Sequence, residues 1–201
     1  IETVQKATDV PISIDNNKPS LLKEAIPVCN KPPLINSTTA EESRMNELLP
    51  LVAEHGASII GLVMDESGSP KSADQRVENA GKLMEKSMEY DISPEQLFLD
   101  PIVMPLKFMQ DQSKEILEAV SQFKLFSDPP CHIICGLSNV SNGTRHKKLI
   151  NRVFAAMLVA RGLDAVICDV NDDALIETIL TAELVMDRGI YADSYVEAFK
   201  R

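Results

Sequence analysis

Short apolar runs recur along the chain, and five of them stop at one small polar residue: Pro-Ile-Ser-Ile-Asp15, Pro-Leu-Ile-Asn36, Leu-Phe-Leu-Asp100, Ile-Cys-Gly-Leu-Ser-Asn139 and Val-Ile-Cys-Asp169. A bounded run of this kind reads as a parallel strand buried on both faces. A lone Asp or Asn at its C-terminal end falls where parallel sheets bind ligands. A sixth run extends from Ala57 to Met64. Helical periodicity follows the strands: Val77, Ala80, Met84 and Met88; Ile116, Leu117, Val120 and Phe123; Leu149, Ile150, Val153, Phe154 and Met157. Turn or cap signals at Asn17-Lys18-Pro19-Ser20 and Ser93-Pro94, with Gly56 and Gly162 closing helices, agree with those boundaries. The pattern predicts six β-α units.

Consecutive βα units without an antiparallel signal fit either a doubly wound sheet or a (β/α)8 TIM barrel. A doubly wound sheet should carry a Gly-rich phosphate fingerprint near its start, and none is present. The expected fold is therefore α/β, a (β/α)8 TIM barrel with about six of its eight βα units in this chain. The chain opens at Ile1, not Met, inside a segment expected to be helical to Ala7. Residues 1–201 are thus expected to form one barrel domain that lacks its N-terminal portion. An opened barrel exposes two strand edges and its interior, so a second copy of the chain or further residues of it are expected to close it, and a homodimer is expected.

Composition narrows the partners. With 44% hydrophobic residues among 201, the chain can bury one full core. A formal net charge of -10 disfavours nucleic acid and anionic membrane, both of which are held by Lys and Arg contacts to phosphate. No run approaches the roughly 20 apolar residues of a membrane span, and no signal peptide is visible, which points to the cytoplasm. Cys29, Cys131, Cys135 and Cys168 show no framework spacing and read as reduced core residues. No metal site is expected from Cys131, His132 and Cys135, because on a strand 131 and 135 share one face and 132 takes the other.

Six segments carry a resemblance that spans the chain: Ser-Ile-Asp15, Leu-Ile-Asn-Ser-Thr (34–38), Gly-Leu-Val-Met-Asp65, Leu-Asp-Pro-Ile-Val-Met-Pro (99–105), Gly-Leu-Ser-Asn-Val-Ser (136–141) and Leu-Ile-Asn-Arg (149–152). With the tail from Tyr191 to Phe199, the chain resembles the pterin-binding methyltransferases, in particular those acting between methyltetrahydrofolate and a corrinoid/iron-sulfur protein. The resemblance implies a barrel completed by two further strands. It also implies a methyl group moved between (methyl)tetrahydrofolate, as substrate, and the cobalt of a corrinoid (cobalamin) carried by a partner protein. It assigns Asp15, Asn36 and Asp100 to pterin recognition, Asn139 to catalysis, and Ser138 and Asn142 to pterin binding beside it.

The chemistry suits these residue types. A pterin edge presents a 2-amino group and an adjacent ring N–H, two parallel donors that Asp15 or Asp100 could accept together. An amide such as Asn36 can serve either polarity on the remaining edge. Asp100 before Pro101, and Asp15 before Asn16, equally fit ordinary strand-ending turns. Methyl transfer from a tertiary amine needs positioning and a donor to the departing nitrogen, a role open to the Asn139 amide. No His lies in these strand-end motifs, so proton delivery through water is expected. The single basic patch, Arg145 to Lys148, either holds folate carboxylates, with Arg145 and Lys147 as contacts, or is a solvated helix start.

Other readings of 136–143 fare worse. Val140 stands where a nucleophile elbow needs its second Gly, which argues against Ser138 as nucleophile. A Gly- and Ser-rich loop could bind phosphate, against the acidic strand ends. Dihydropteroate synthase shares an Asp-Pro strand end, but needs basic residues for its pyrophosphate substrate where Ser138 and Asn139 stand. A non-catalytic barrel fragment is the remaining alternative.

Overall fold

The computed structural model describes residues 1–16 and 18–197. Six parallel strands form one sheet in sequence order: β1 (Ser13–Asp15), β2 (Leu34–Thr39), β3 (Ser58–Leu62), β4 (Leu97–Asp100), β5 (His132–Gly136) and β6 (Ala165–Ile167). Helices α1 (Glu2–Gln5), α2 (Pro19–Ala25), α3 (Glu42–His55), α4 (Ala73–Glu89), α5 (Gln112–Phe123), α6 (Lys147–Arg161) and α7 (Asp173–Val185) lead into and follow the strands. A doubly wound sheet would reverse its strand order part-way. Unreversed winding is that of a (β/α) barrel, and the strands curl into a partial barrel with β1 and β6 as open edges.

Alternation along each strand divides two faces. Ile14, Ile35, Ile59, Leu97, Leu99, Ile133 and Cys135 are buried against the helices, in a core completed by Leu48 and Val52 of α3, Leu83 of α4, Val120 and Phe123 of α5, and Phe154 and Leu158 of α6. The row Asp15, Asn36, Ile60, Phe98 and His132 is in register across five strands and takes the other, inner face. There the Phe98 and His132 rings stack, 4.6 Å between centroids. Cys131, facing the core, donates its thiol to the Phe123 carbonyl, and burial pushes the Cys131 and Cys135 thiols up from their ordinary range.

Gly56 and Gly162 end α3 and α6 in the left-handed conformation, as their positions predict. Ser93 heads a short 3-10 turn with a capping box to Gln96. Of the signal at 17–20, Asn17 lies outside the described residues, and Pro19 opens α2.

Three expectations need correction. The run ending at Asn139 is not all strand: β5 stops at Gly136, and Leu137–Asn139 is a 3-10 turn. The stripe on α4 holds at Ala80 and Met84, with Val77 packed against the core, but the buried face extends to Ala73, Arg76 and Leu83 and leaves Met88 58% exposed. On α6 the sheet takes Phe154, Ala155, Leu158 and Val159, and leaves Leu149, Val153 and Met157 exposed at 54%, 53% and 47%. On α6 the apolar stripe is wider than the face the sheet can cover, whereas on α4 the buried face is wider than the stripe and takes in Arg76, Asn79 and Ser87. Among the described residues, no helix is long and apolar enough to cross a membrane.

One close approach makes a test of this packing. A Cβ on Gly61 would lie 3.0 Å from Leu83 Cδ1 and 3.1 Å from Cδ2. Gly61→Ala is therefore expected to cost about 1–3 kcal/mol of stability by overpacking β3 against α4. Urea denaturation measures it, and an unchanged midpoint would show that the two elements are not in such close contact.

Candidate functional site at the strand ends

The strand-end candidates gather at the C-terminal end of the sheet, although β2 does not stop where its apolar run predicts: it continues through Thr39, so Asn36 lies inside the strand. Asp15 ends β1 and is exposed; Asn36, its direct partner in register, is half-buried in β2. The two strands are tied beyond that pair by the Asn16 N–H, which donates to the Asn36 carbonyl at 3.0 Å. β2 then shifts register between Asn36 and Thr38, and the Asn36–Ser37 peptide is cis.

Asp100, the last residue of β4, is buried. Its Oδ1 accepts the Ile102 N–H at 2.8 Å. Burial pushes its carboxyl up to about 6, against the opposing pull of the Ile102 and Gly136 N–H groups. A carboxylate offers about four acceptor positions, so two remain for a ligand with two parallel donors.

The turn behind Asp100 is strained. Ile102 has φ +60°, a left-handed conformation that costs a β-branched residue on the order of 1–3 kcal/mol. Arg76 of α4 reaches under it: Nε donates to the Pro101 carbonyl at 2.8 Å, Nη1 to Ser72 O at 3.1 Å, and Nη2 to Gln112 Oε1 at 3.1 Å and Ile102 O at 3.5 Å. Burial lowers the Arg76 pKa to about 10, with Glu115 opposing that shift. No sequence motif pointed to Arg76 or Gln112. Their one signal was spacing, since Arg76 falls in phase with Ala73, Ala80 and Leu83.

Asn139 stands in the 3-10 turn directly after β5, and a Cβ on Gly136 would meet its Nδ2 at 3.3 Å. Gly136 thus joins the two principal candidates: its N–H helps hold the Asp100 carboxyl down against burial, and its bare Cα leaves room for the Asn139 amide. The segment is held from outside by Leu106, whose N–H donates to Val140 O at 2.9 Å, and from within by Asn142 N–H to Asn139 O and Ser141 Oγ to Ser138 O. Ser138, Asn139 and Asn142 are exposed around this turn. Gly136→Ala is expected to displace the Asn139 amide and lower kcat about tenfold with little loss of stability, because the crowded neighbour is the free end of an exposed side chain. Steady-state kinetics beside thermal melts would check it; unchanged kcat would mean that the amide does not need that space.

The family model for the pterin binding enzyme matches residues 1–169. The chain belongs to the pterin binding enzymes. It is 27% identical to the methylcorrinoid:tetrahydrofolate methyltransferase of Eubacterium limosum, across the whole of this chain and 74% of that protein. It is 28% identical to the methionine synthase of Mycobacterium tuberculosis, over 80% of this chain and only 14% of that much longer protein. Among solved structures, the dihydropteroate synthase of Yersinia pestis superposes with a TM-score of 0.69 at 17% identity, covering 92% of this chain and 76% of that one. That of Coxiella burnetii, in complex with pteroic acid, superposes with a TM-score of 0.65 at 16% identity, covering 94% and 72%. At such identities these two structures establish the fold.

In this pterin binding enzyme the remaining strand-end acids are turn formers. Asp65 Oδ1 accepts from the Ser67 N–H and hydroxyl, and these hydrogen bonds, chiefly the hydroxyl's, hold its carboxyl below the usual range. Asp169 Oδ1 accepts from the Asn171 N–H and amide. His132 is occupied away from the strand ends, where Nδ1 meets Asp164 Oδ2 at 3.2 Å and Asp164 also pairs with Lys124. It offers Ser138 no base. Arg145 and Lys147 are exposed at the entrance to α6, whose first turn holds no acid.

Proposed function

We propose that the protein transfers a methyl group between (methyl)tetrahydrofolate and the cobalt of a corrinoid carried by a partner protein. The observation that supports it most is the junction at Gly136, where a buried carboxylate able to take two donors and an uncharged amide donor meet at one strand end. Asp100 accepts the pterin 2-amino group and ring N–H, while Asn36 on β2 and Asp15 on β1 bound the ring from across the sheet. Asn139, with Ser138 and Asn142 beside it, places its amide N–H groups toward the ring nitrogen that bears the methyl. As the carbon–nitrogen bond breaks, that nitrogen gains electron density, and a fixed donor stabilises the transition state more than the ground state. The nucleophile is the partner's substrate cobalt, so this chain's work is to bind, orient and donate. The departing nitrogen takes its proton from water, since among the described residues the turn that carries Asn139 holds no Asp, Glu or His and Asp100 is engaged at the opposite edge of the pterin.

Arg145 and Lys147, with the uncompensated start of α6, hold the folate's benzoyl-glutamate carboxylate outside the mouth. The open edges of β1 and β6 leave room for two further βα units in the barrel domain, and exposed Leu149, Val153 and Met157 on α6 supply an apolar face for a homodimer. Four free cysteines suit a reducing cytoplasm. Two assays test the reading: methyl transfer with methyltetrahydrofolate and a reduced corrinoid protein, and condensation of a dihydropterin pyrophosphate with p-aminobenzoate. Activity in the first alone is expected. Activity in the second alone would replace this reading with dihydropteroate synthesis, and activity in neither would leave a binding module.

A further inference from the structure

We infer that Arg76 is a positioning residue for pterin recognition: by holding the Pro101 and Ile102 carbonyls it locks the left-handed turn whose N–H aims the Asp100 carboxylate. The inference rests on the proposed role of Asp100 as pterin acceptor and extends it to a residue on a different element.

Three observations carry it. The guanidinium is fully buried, and its donors go to the carbonyls of Ser72, Pro101 and Ile102 and to Gln112 Oε1. A cation is costly to bury, and an aliphatic side chain would fill the same space, so packing alone does not account for it. What the fork supplies, and an aliphatic chain cannot, is a set of donors spread over two successive carbonyls. Next, Ile102 is a β-branched residue in a conformation usually given to Gly. Such strain persists only where the surroundings over-determine it. Arg76 supplies that constraint from one side, and the Asp100 carboxylate, accepting the Ile102 N–H at 2.8 Å, from the other. Finally, the clamp is itself anchored. Gln112 Nε2 donates to the Lys71 carbonyl at 2.9 Å and to Asp111 Oδ2 at 3.0 Å, which fixes the oxygen that receives Arg76. The chain of contacts runs from the start of α5 through Arg76 to the carboxylate at the end of β4.

Lysine keeps the charge but gathers three donors on one nitrogen, and so cannot hold all four of the acceptors that the planar guanidinium reaches from three nitrogens. Tetrahydrofolate titrated into the full protein, Arg76→Lys, Asp100→Asn and the double variant reads the coupling. Arg76→Lys is expected to weaken binding about tenfold, and the double variant to bind no more weakly than Asp100→Asn alone. Ile102→Gly, which needs no clamp to reach positive φ, is expected to restore most of the affinity lost in Arg76→Lys. A purely structural Arg76 would give multiplying losses and no rescue, and either result overturns the inference. Should Arg76→Lys fail to fold, Gln112→Met releases the anchor with Arg76 in place; it should weaken binding several-fold, again without adding to Asp100→Asn, and unchanged affinity overturns the inference. If Asp100→Asn alone binds like the natural protein, the pterin role of Asp100 fails and the inference with it. If Asp100→Asn weakens binding and Arg76→Lys does not, only the inference fails.

Discussion

Asn139→Ala is expected to lower kcat for methyl transfer about 10²- to 10³-fold, the usual loss when one preorganised donor to a developing charge is removed. The side chain is exposed in a turn held by backbone hydrogen bonds that alanine keeps, so the melting temperature should not move. Affinity for tetrahydrofolate should change far less than kcat, because the amide's contribution grows as the carbon–nitrogen bond breaks. Single-turnover kinetics with saturating folate isolate the chemical step. Natural turnover in the variant would take Asn139 out of the mechanism and leave the Gly136 junction a packing feature.

The second large effect belongs to Asp100, where affinity and stability should move in opposite directions. Each charge-assisted hydrogen bond to the pterin edge contributes about 1.5–3 kcal/mol, so Asp100→Asn should weaken folate binding about 10- to 100-fold or more, chiefly in Kd and KM. Its pH dependence follows from the raised carboxyl. The ionised form accepts both ring donors; affinity in the natural protein should therefore fall as pH drops through about 6. Asp100→Asn should be flat across that range. For stability the sign reverses. The folded state holds its proton up to about 6, whereas the unfolded chain loses it near the ordinary 3.8. Folding is therefore favoured by protonation, and stability falls as pH rises between those values, by about 3 kcal/mol once the carboxyl is ionised. Asparagine removes that penalty while its Oδ1 can still accept the Ile102 N–H. The variant should thus be more stable than the natural protein at pH 8 and close to it at pH 4, by urea denaturation. A variant that binds folate normally at pH 8 would return Asp100 to the role of a turn former.

These predictions rest on residues of very different legibility. Asp15, Asn36 and Asp100 could be read from the chain because each closes an apolar run, and the geometry of a parallel sheet sends such ends to one side. Asn139 was legible as chemistry but not as structure: the run hides the change at Gly136 from strand to 3-10 turn, since Leu137 is as buried as a strand residue would be. Arg76 showed itself only by its phase with Ala73, Ala80 and Leu83. Its burial depends on how far α4 rotates about its own axis, which apolar spacing fixes only to about one residue, and on a carbonyl-rich turn 25 positions away. The same uncertainty misplaced the inner face of α6, where an apolar stripe wider than its contact leaves several equivalent rotations.

The unreversed strand order has a kinetic consequence. Each strand pairs only with its neighbour in sequence, and the main helix contacts also join consecutive units, so the contacts that build the sheet each close a loop of a single βα unit. Loop closure is then inexpensive at each step, and contact order stays low for a parallel sheet of this size. Structure can grow by adding one βα unit to the last, in the direction in which a ribosome delivers the chain. The Gly136 junction is an exception in a useful place. The Gly136 N–H acts on Asp100 only once β5 docks on β4, so the surroundings of the carboxylate are complete one unit after it is synthesised. The proposed pterin site is in this sense a late product of assembly, completed by the fifth strand and not by the fourth that carries Asp100.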